Sequence, residues 1–350
     1  MADWSRSMHQ TYEFYLVDPA TWGDAERIEN VLSATLNRDL ESDTLGNAVI
    51  DLEENIGESY FRVYLVTVQD GVRERHCLGT YMAETPVGDF DGRSGHVSIE
   101  AYTPLIELAD EYPEIGFSVP SGSDVSITAA RLIADNCRAP VLGDAGGDKL
   151  DETFVAHPDE TWLQFISALL KRANKRMLLD ERGQVVIAPI RDAADLGPSA
   201  TFDDGNSSIL MPEIEDSQDF YGVPNKYEAV VTKGGYTMSV VVENDSSSSE
   251  ISVTNRGRVV RHRNTSPDVS GNPTEAELMA YAQRELKAMS CLERTLSYKH
   301  GYCGTNIGQA ALLDYERAGI NANALVVRQS IECIPGCPVT EVSKYSKSYY

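Results

Sequence analysis

The sequence lacks the short motifs by which most enzymes are recognised. It has no GxSxG elbow, no Walker loop, no GxGxxG and no HExxH or HxH spacing. It also has no run approaching eighteen apolar residues, which excludes a membrane-spanning helix. The first eighteen residues contain neither a long apolar segment nor a small-residue cleavage site, so we expect no secretory signal. We predict that the protein is not an enzyme and has no catalytic, cofactor-binding or metal-binding residues.

Positive charge is scarce. The 350 residues include 30 Lys and Arg against 54 Asp and Glu, which gives a formal net charge of −24. Such a surface repels nucleic acids and acidic membranes on average, which argues against a typical DNA-binding or membrane-surface protein. The apolar content of 42% is ordinary for a globular protein, and the length allows about two to four folded units.

Cysteine is present but is not arranged in the paired CxxC knuckles that hold structural zinc. The six residues are spread along the chain: Cys77, Cys137, Cys291, Cys303, Cys333 and Cys337. The closest pair, Cys333 and Cys337, has Cys291 and Cys303 upstream. Free thiols in a reducing cytosol are the favoured interpretation, and a disulfide or metal site among these four residues stays open.

Polar residues that resemble catalytic groups are best explained as surface. An acidic chain offers neighbouring carboxylates, here Asp39/Glu41, Glu53/Glu54 and Asp203/Asp204. Glycosidases need two carboxyl groups on facing walls, whereas adjacent strand residues point to opposite faces. We predict no catalytic role for any of the six histidines, His9, His76, His96, His157, His262 and His300. The loop with Gly143, Gly146 and Gly147 lacks the Lys-Ser/Thr pair of a phosphate-binding loop.

One basic cluster stands out in this acidic sequence. It comprises Arg256, Arg258, Arg261, His262 and Arg263. The cluster either meets an acidic partner surface or balances local charge, and the sequence does not separate these two interpretations.

The first third of the chain has the periodicity of β-strands. Residues 32–36 alternate apolar and polar side chains, and residues 48–52 resume the alternation after a polar stretch. Segment 61–68 is apolar on both faces, as in a central strand or in one that buries a face against a neighbouring subunit. Gln69-Asp70-Gly71 predicts a turn, and further strands are expected at 77–82 and 97–101. Such spacing is typical of an antiparallel barrel or sandwich.

The middle of the chain, residues 118–192, predicts a small α/β unit. A short helix is expected at about residues 126–137. The clearest helix has one apolar stripe, which we interpret as core: Trp162, Phe165, Ile166, Leu169, Leu170 and Ala173. Segments 177–179 and 185–187 flank Asp180-Glu181-Arg182-Gly183, which is the pattern of a hairpin.

Strands are expected again after about residue 220. Segments 227–232 and 236–243 should pair through Lys233-Gly234-Gly235, and the serine-rich run 244–250 predicts an exposed flexible loop. Thr274 and Glu277 form a capping box before a second helix. The buried stripe of that helix is expected to be Leu278, Tyr281, Ala282, Leu286 and Met289. The C-terminal region predicts strands at 324–327, 330–334 and 339–342, with a turn at Pro335-Gly336.

Five segments in this order resemble the tail hub (baseplate hub) proteins of bacteriophages. The first is a pair of strands, Val31–Asp39 and Asp43–Asp51, around an Arg-Asp…Ser-Asp…Gly link. The second, Leu78–Pro86, is similar to the family's Leu-Gly-Thr-Phe strand with its Thr-Pro turn. The others are Ser118–Val125 before a helix, the helix Trp162–Asn174 with its hairpin, and Asp219–Asn225 with its Pro-Asn entry to a second β domain. The resemblance spans most of the chain.

The resemblance implies an α+β, mainly β fold. It would contain two tube-type β-barrel or sandwich domains, an inserted small α/β unit and an accessory helical segment. The expected division is a first tube-type domain at 1–117, the insert at 118–200, the first part of a second tube-type domain at 201–265, and a helix with completing strands at 266–350.

The resemblance also implies a structural role at the tail tip of a virion, after synthesis in the host cytoplasm. Three chains would form a pseudo-hexameric ring that joins the tail tube to the threefold tip and lines the channel for DNA. The expected partners are two further copies of the chain, the distal tail or tail tube protein, and tip or fibre proteins. No cofactor and no specific DNA binding are expected.

The net charge suits such a channel. An acidic wall repels phosphates within about 8–10 Å at physiological salt, so we expect much of the −24 to face the lumen. Two functions of other classes stay open. One is a tail-borne hydrolase that acts on the host cell envelope, and the other is a β-sandwich carbohydrate-binding module that uses a stripe of exposed aromatics among the 17 tyrosines.

Overall fold

A computed structural model describes residues 2–90, 95–143, 146–233, 236–269 and 273–350. The chain divides into two compact units: unit 1 is Met1–Ile214 with Ser297–Ser343, and unit 2 is Glu215–Leu296 with Lys344–Tyr350. The predicted α+β, mainly β class is confirmed. The domain limits predicted at 117, 200 and 265 rest on the sequence resemblance and stay predictions. Within the described ranges, no helix is long and apolar enough to span a membrane.

Unit 1 opens with seven strands connected mostly by short turns. They are β1 His9–Asp18, β2 Gly23–Ile28, β3 Val31–Asp39, β4 Gly46–Leu52, β5 Tyr60–Gln69, β6 Val72–Phe90 and β7 Gly95–Tyr102. The turn predicted at Asp70-Gly71 joins β5 to β6, and both residues have positive φ, 51° and 79°. The sequence did not indicate β1 or β2.

Strand β5 explains the apolar segment 61–68. Its first eight residues are all buried, and it pairs antiparallel with β1 on one side and β6 on the other. Phe61, Val63 and Leu65 belong to one hydrophobic core cluster of the unit. The interpretation as a central strand is therefore correct, because the strand's own chain buries both of its faces.

The α/β insert follows the seventh strand. Its elements are α1 Ile106–Asp110, β8 Ser118–Val119, α2 Val125–Asn136, β9 Val141–Leu142, β10 Phe154–Val155, α3 Trp162–Lys171, β11 Lys175–Leu179, β12 Val185–Pro189 and a short 3-10 helix Ala193–Asp195. Both predicted helices and the hairpin are confirmed, and the stripe from Trp162 to Leu170 is buried as core. Ala173, which the sequence assigned to the same stripe, lies beyond the end of α3 and is half-buried. Thr161 caps α3 with a capping box to Gln164.

Six later strands complete the main sheet. They are β13 Pro198–Asp203, β14 Leu210–Gln218, β18 Cys291–Gly301, β19 Ala310–Tyr315, β20 Ile320–Glu332 and β21 Pro338–Ser348, with a short 3-10 helix Glu316–Ala318 before β20. Among the residues described, the sheet has the order β14-β18-β21-β20-β3-β4-β7-β6-β5-β1-β2, and β19 pairs with both β13 and β20.

Strand β20 differs from the sequence prediction. The strands expected at 324–327 and 330–334 are one continuous strand. Its first half pairs with β19 and its second half with β3. Arg328 and Gln329 do not interrupt it, because Arg328 points to solvent while Gln329 is buried among polar partners.

Unit 2 is a three-stranded sheet covered by a helix. Its elements are β15 Lys226–Lys233, β16 Tyr236–Glu243, α4 Val253–Arg256, β17 Arg261–Asn264 and α5 Glu275–Met289. The predicted pairing of β15 with β16 is confirmed, although the Gly234-Gly235 turn lies outside the described residues. The Thr274 capping box is present, and Leu278, Tyr281, Ala282 and Leu286 are buried against the sheet.

The serine-rich run 244–250 is more ordered than the sequence suggested. Its middle residues are exposed as predicted, but Asn244 and Ser249 are buried and hydrogen bonded to each other and to the Tyr349 carbonyl. Asn255 donates to two carbonyls of the same run. Short polar side chains replace the missing apolar contacts by bonding to the nearby backbone.

Candidate functional site

The first candidate feature of unit 1 is a solvent-facing sheet surface, which we call the polar sheet face. Residues alternate between the core and this surface along each strand, so Leu36, Ile50, Ile99 and Ile331 lie inside. The outward residues are Arg328, Ser330 and Glu332 on β20, Ser33, Thr35, Asn37 and Asp39 on β3, Asn47, Val49 and Asp51 on β4, and Ser98, Glu100 and Tyr102 on β7.

Cross-strand hydrogen bonds fix the polar side chains of this face. Asn37 donates to Asn47 at 3.0 Å, and Asn47 donates to Glu100 at 3.3 Å. Ser33 donates to Asp51, and hydrogen bonds from Ser33 and then Ser98 hold the pKa of Asp51 below its ordinary value. The Asp51 carboxylate therefore stays ionised and oriented at neutral pH, and the face presents a polar surface on which acidic side chains outnumber basic ones.

Negative charge is concentrated in one unit. Unit 1 contains 42 acidic and 19 basic residues, a net charge of −23, whereas unit 2 contains 12 and 11, a net charge of −1. On the polar sheet face, four carboxylates accompany one arginine, Arg328. The surface chemistry suits a wall that must stay wet and must not retain phosphates.

A second feature is a buried polar network inside unit 1. His300 donates through Nδ1 to the Gly301 carbonyl at 2.7 Å and through Nε2 to Glu341 at 3.3 Å, and the side chains of His300 and Glu341 are both fully buried. Tyr298 also donates to Glu341, and Gln329 does so at 2.7 Å. Because both ring nitrogens of His300 face acceptors, the imidazole is held in its protonated, positively charged form.

Opposing effects set the pKa values of this pair. Burial alone would lower the pKa of His300, but hydrogen bonds to Cys303 and Glu341, with the Glu341 charge, raise it to about 10. Burial alone would raise the pKa of Glu341, but the hydrogen bond and charge of His300 hold it below its ordinary value. The network extends to Arg38, which donates to Gln329 at 3.0 Å. It therefore connects β3, β18, β20 and β21 and acts as a structural clamp.

A third buried group connects the insert to the sheet. Arg62 on β5 forms an ion pair with Asp24 at 2.8 Å and donates to Thr80 at 2.9 Å. It also donates to the backbone carbonyls of Trp22 and Arg182, each at 3.2 Å. Since Arg182 lies in the hairpin turn of the insert, this single guanidinium fixes the insert against the central strand.

The carboxylates that resemble catalytic pairs lie at strand ends and in the turns that follow them. Asp39 accepts a hydrogen bond from the backbone of Glu41 at 2.9 Å, and Asp203 does the same for Gly205. Asp204 forms an ion pair with Arg317 at 3.4 Å. These contacts stabilise surface turns, as the sequence interpretation expects.

The glycine loop 143–147, of which 144–145 lie outside the described residues, is occupied by the protein's own carboxylate. Asp124 caps α2 by accepting from Ile127 at 3.0 Å, and it also accepts from Gly147 at 2.6 Å. These backbone hydrogen bonds lower the pKa of Asp124. A phosphate would have to displace this carboxylate from the helix terminus.

The basic cluster of unit 2 mainly satisfies local groups. Arg261 and Arg263 both donate to Glu228 at 3.0 Å, and Arg256 donates to two nearby backbone carbonyls. His262 stacks on Tyr227, with ring centroids 5.3 Å apart. Of the two interpretations, these contacts favour local charge balance.

The six cysteines are free thiols in the structure. Cys337 is buried and Cys333 is half-buried, and Cys303 lies beside His300 in the buried network. Burial raises the pKa of Cys77 and Cys137 to about 12, so both thiols stay protonated at neutral pH.

Sequence reasoning missed the buried network. Arg38 falls in the polar stretch between two predicted strands, and His300 belongs to no motif, so neither residue indicates the other. One signal was available: Glu341 and Ser343 occupy inward positions of a strand whose neighbour Val339 is apolar and buried. A charged residue at an inward strand position indicates a buried partner.

No protein-family profile matches the chain, and no curated protein matches it in sequence. Among solved structures, it is similar to a tail protein from Neisseria meningitidis MC58, with a TM-score of 0.61, 14% identity and coverage of 96% of both chains. It is also similar to the 43 kDa tail protein of prophage MuSo2 from Shewanella oneidensis, with a TM-score of 0.58 and 12% identity over 95% of this chain and 97% of that one. The chain therefore shares its fold with these two tail proteins along almost its whole length.

Proposed function

We propose that the chain is a structural component of a phage tail. The observation that supports this proposal most strongly is the shared fold, which covers 95% or more of this chain and of both tail proteins. Because the similarity covers at least 95% of each chain, it includes the sheet, the insert and unit 2, and it is not limited to one shared domain. The sequence resemblance to tail hubs supports the same role from independent features.

Within the tail, the proposed position is the hub. Three copies form a pseudo-hexameric ring that joins the tail tube to the threefold tip, and the polar sheet face lines the channel. The face supports this role because most of its side chains are polar, several are connected by hydrogen bonds, and its charged residues are four carboxylates and one arginine. DNA phosphates within about 8–10 Å of such a wall are repelled, so the genome passes without specific binding. The proposed partners are two further copies, the tube protein and the tip or fibre proteins.

A count of copies in purified tails tests this proposal. We expect cryo-electron microscopy and quantitative mass spectrometry to find three copies of the chain per tail, at the end distal to the capsid, with the tube protein counted in the same particles as an internal standard. A chain absent from tails, or present in six or more copies along the tube, would contradict the hub assignment.

A second measurement addresses the channel. Reconstruction of the ring should place Asn47, Asp51 and Glu100 within the lumen. A lumen lined instead by the basic strand β17 of unit 2 would refute the proposed orientation, even if three copies are present.

A further inference from the structure

Unit 1 contains a cleft that is lined mainly by apolar side chains and by two arginines, and we call it the arginine cleft. It has a volume of about 230 Å³ and lies between the insert hairpin and the strands around it. Leu40, Leu178, Leu196 and Leu325 form its apolar walls, and Arg176 and Arg191 supply its charges. A cavity of about 150 Å³ already accepts a benzene-sized molecule, so this cleft has room for a branched aliphatic side chain.

The two arginines of the cleft differ in exposure, because Arg191 is open to solvent whereas Arg176 lies partly against the apolar walls. Neither side chain forms an ion pair or hydrogen bond with any residue in the described ranges, although unit 1 carries 42 acidic residues. Arg176 is half-buried, and burial lowers its pKa. A guanidinium held against apolar walls without an anion is costly, and a carboxylate arriving from outside would offset that cost.

The same unit has an exposed turn whose side chains are complementary to the arginine cleft. We call it the Ile115 turn, and it comprises residues 111–116. The side chain of Ile115 is 91% exposed, and Glu111 and Glu114 beside it are also exposed. Phe117 donates to the Glu114 carbonyl at 2.8 Å, and Gly116 has a φ of 87°, so the turn is closed.

This turn is ordered before any partner arrives. The Glu111 carbonyl accepts from the backbone of Trp162 at 2.9 Å, and Pro113 is buried at the base of the turn. A preorganised turn loses little conformational entropy on docking, so binding through its exposed isoleucine carries only a small entropic penalty.

We propose that the Ile115 turn of one copy docks into the arginine cleft of the next copy, with Ile115 against the leucine walls and Glu114 on Arg176. The inference rests on the proposed ring, because a contact between two different patches of one chain is heterologous and closes into a ring when the rotation permits. The occupant is a second copy because its turn supplies both requirements of the cleft, an aliphatic side chain and flanking carboxylates.

Cross-linking in assembled tails tests the contact directly. For this test, the full chain is made with a leucine-sized diazirine amino acid at position 115. Isotopically light and heavy copies are then mixed, so that cross-links between copies can be identified. We expect light–heavy cross-linked peptides that contain residues 176–191. Links to another protein, links only within one copy, or no link to this segment would overturn the proposal.

Charge exchange provides an independent test. Glu114→Arg or Arg176→Glu alone should weaken association between copies at least about tenfold, and the double variant should recover most of that loss. Arg172→Glu and Glu58→Arg, which change exposed residues outside the two patches, should have little effect. If the single variants associate normally, or if the double variant is no better than either single one, the pairing is wrong.

The hub assignment and the proposed contact between copies can be refuted separately. Three copies per tail with cross-links at other positions would overturn this contact and leave the hub assignment intact. A chain that is absent from tails would overturn the hub assignment itself.

Discussion

At the scale of single residues, the most consequential group is the buried pair of His300 and Glu341. Both side chains are fully inaccessible to water, and each is satisfied by additional hydrogen bonds. Removing one partner from a buried pair leaves the other charge without compensation, which is more costly than the pair itself is worth.

We expect Glu341→Gln to destabilise the protein by about 3–5 kcal/mol, because the His300 imidazolium would lose its counter-charge. Urea unfolding followed by far-UV circular dichroism measures the effect. The matched control is Glu332→Gln, which removes an exposed pair with Lys299 and should cost less than about 1 kcal/mol. Equal losses for the two variants would show that the buried pair is not the stronger contact.

The same pair predicts a pH dependence. The folded pKa of His300 is about 10, above its ordinary value of about 6.5, so its contribution is complete below pH 6.5 and is lost as the pH rises toward 10. The lowered pKa of Glu341 makes its contribution complete above about pH 4.5 and lost under more acidic conditions. The stabilising effect of the pair is therefore greatest between these limits.

Comparison of the wild type with His300→Gln isolates this effect. The stability difference between the two should shrink between pH 6.5 and 10, by at most about 1.4 kcal/mol per pH unit. Titrations of tyrosine and cysteine cancel in the difference because both proteins share them. A difference that stays constant over this range would mean that His300 is not protonated in the folded state.

The residue scale is where sequence analysis was least informative. Apolar residues such as Leu36, Ile50 and Phe165 were assigned to the core correctly, because periodicity reports burial directly. The partners of Arg38 and His300 were not predictable, since each bonds to groups on strands distant in sequence. Arg176 likewise resembles any surface arginine until the fold shows what surrounds it.

At the scale of elements, the turn from β3 to β4 is tightly constrained at Gly46. Gly46 has a φ of 128°, and a Cβ placed on it would lie 2.1 Å from the Asn37 carbonyl oxygen. That carbonyl belongs to the strand that also carries Arg38 of the buried network. A side chain at this position must therefore displace β3 itself.

We expect Gly46→Ala to lower stability far more than Gly57→Ala. Gly57 also has a positive φ, 67°, but a Cβ there would meet nothing within 4 Å, so its cost is limited to the backbone strain of about 1–2 kcal/mol. Thermal and urea unfolding of both variants measure the contrast. Equal losses would indicate that backbone strain alone, and not the close approach to Asn37, makes the glycine necessary.

Elements with strong local signals were predicted well. Helices α3 and α5 carry capping boxes and continuous apolar stripes, and both are present within a few residues of their predicted limits. Strands β2, β13 and β14 were missed because much of each is polar and exposed, so that tertiary pairing rather than local propensity holds them in place. Strand β1 was also missed, although half of its residues are apolar or aromatic and only two are exposed.

At the scale of the whole molecule, the division of charge is the feature that composition alone could not reveal. The sequence established the total of −24, and the structure assigns −23 of it to unit 1. The polar sheet face belongs to that unit. If the face lines a channel, its charge should govern the passage of DNA rather than the assembly of the ring.

We expect the double variant Val49→Lys/Glu100→Lys to slow genome release from purified particles several-fold, because its two ammonium groups would attract passing phosphates. The copy number per tail should not change. The control, Ile127→Lys/Glu152→Lys, makes the same change in net charge at exposed positions of the insert. Equal slowing by both variants would show that total charge, and not the position of the face, determines release.

Strand β20 has a mechanical consequence. One uninterrupted backbone is hydrogen bonded to β19 by its first half and to β3 by its second half, so tension along this strand loads both sets of bonds in shear at the same time. Shear requires many bonds to break together, whereas peeling breaks them one by one. The halves of the sheet joined by β20 should therefore resist pulling along the strand axis much more strongly than pulling across it.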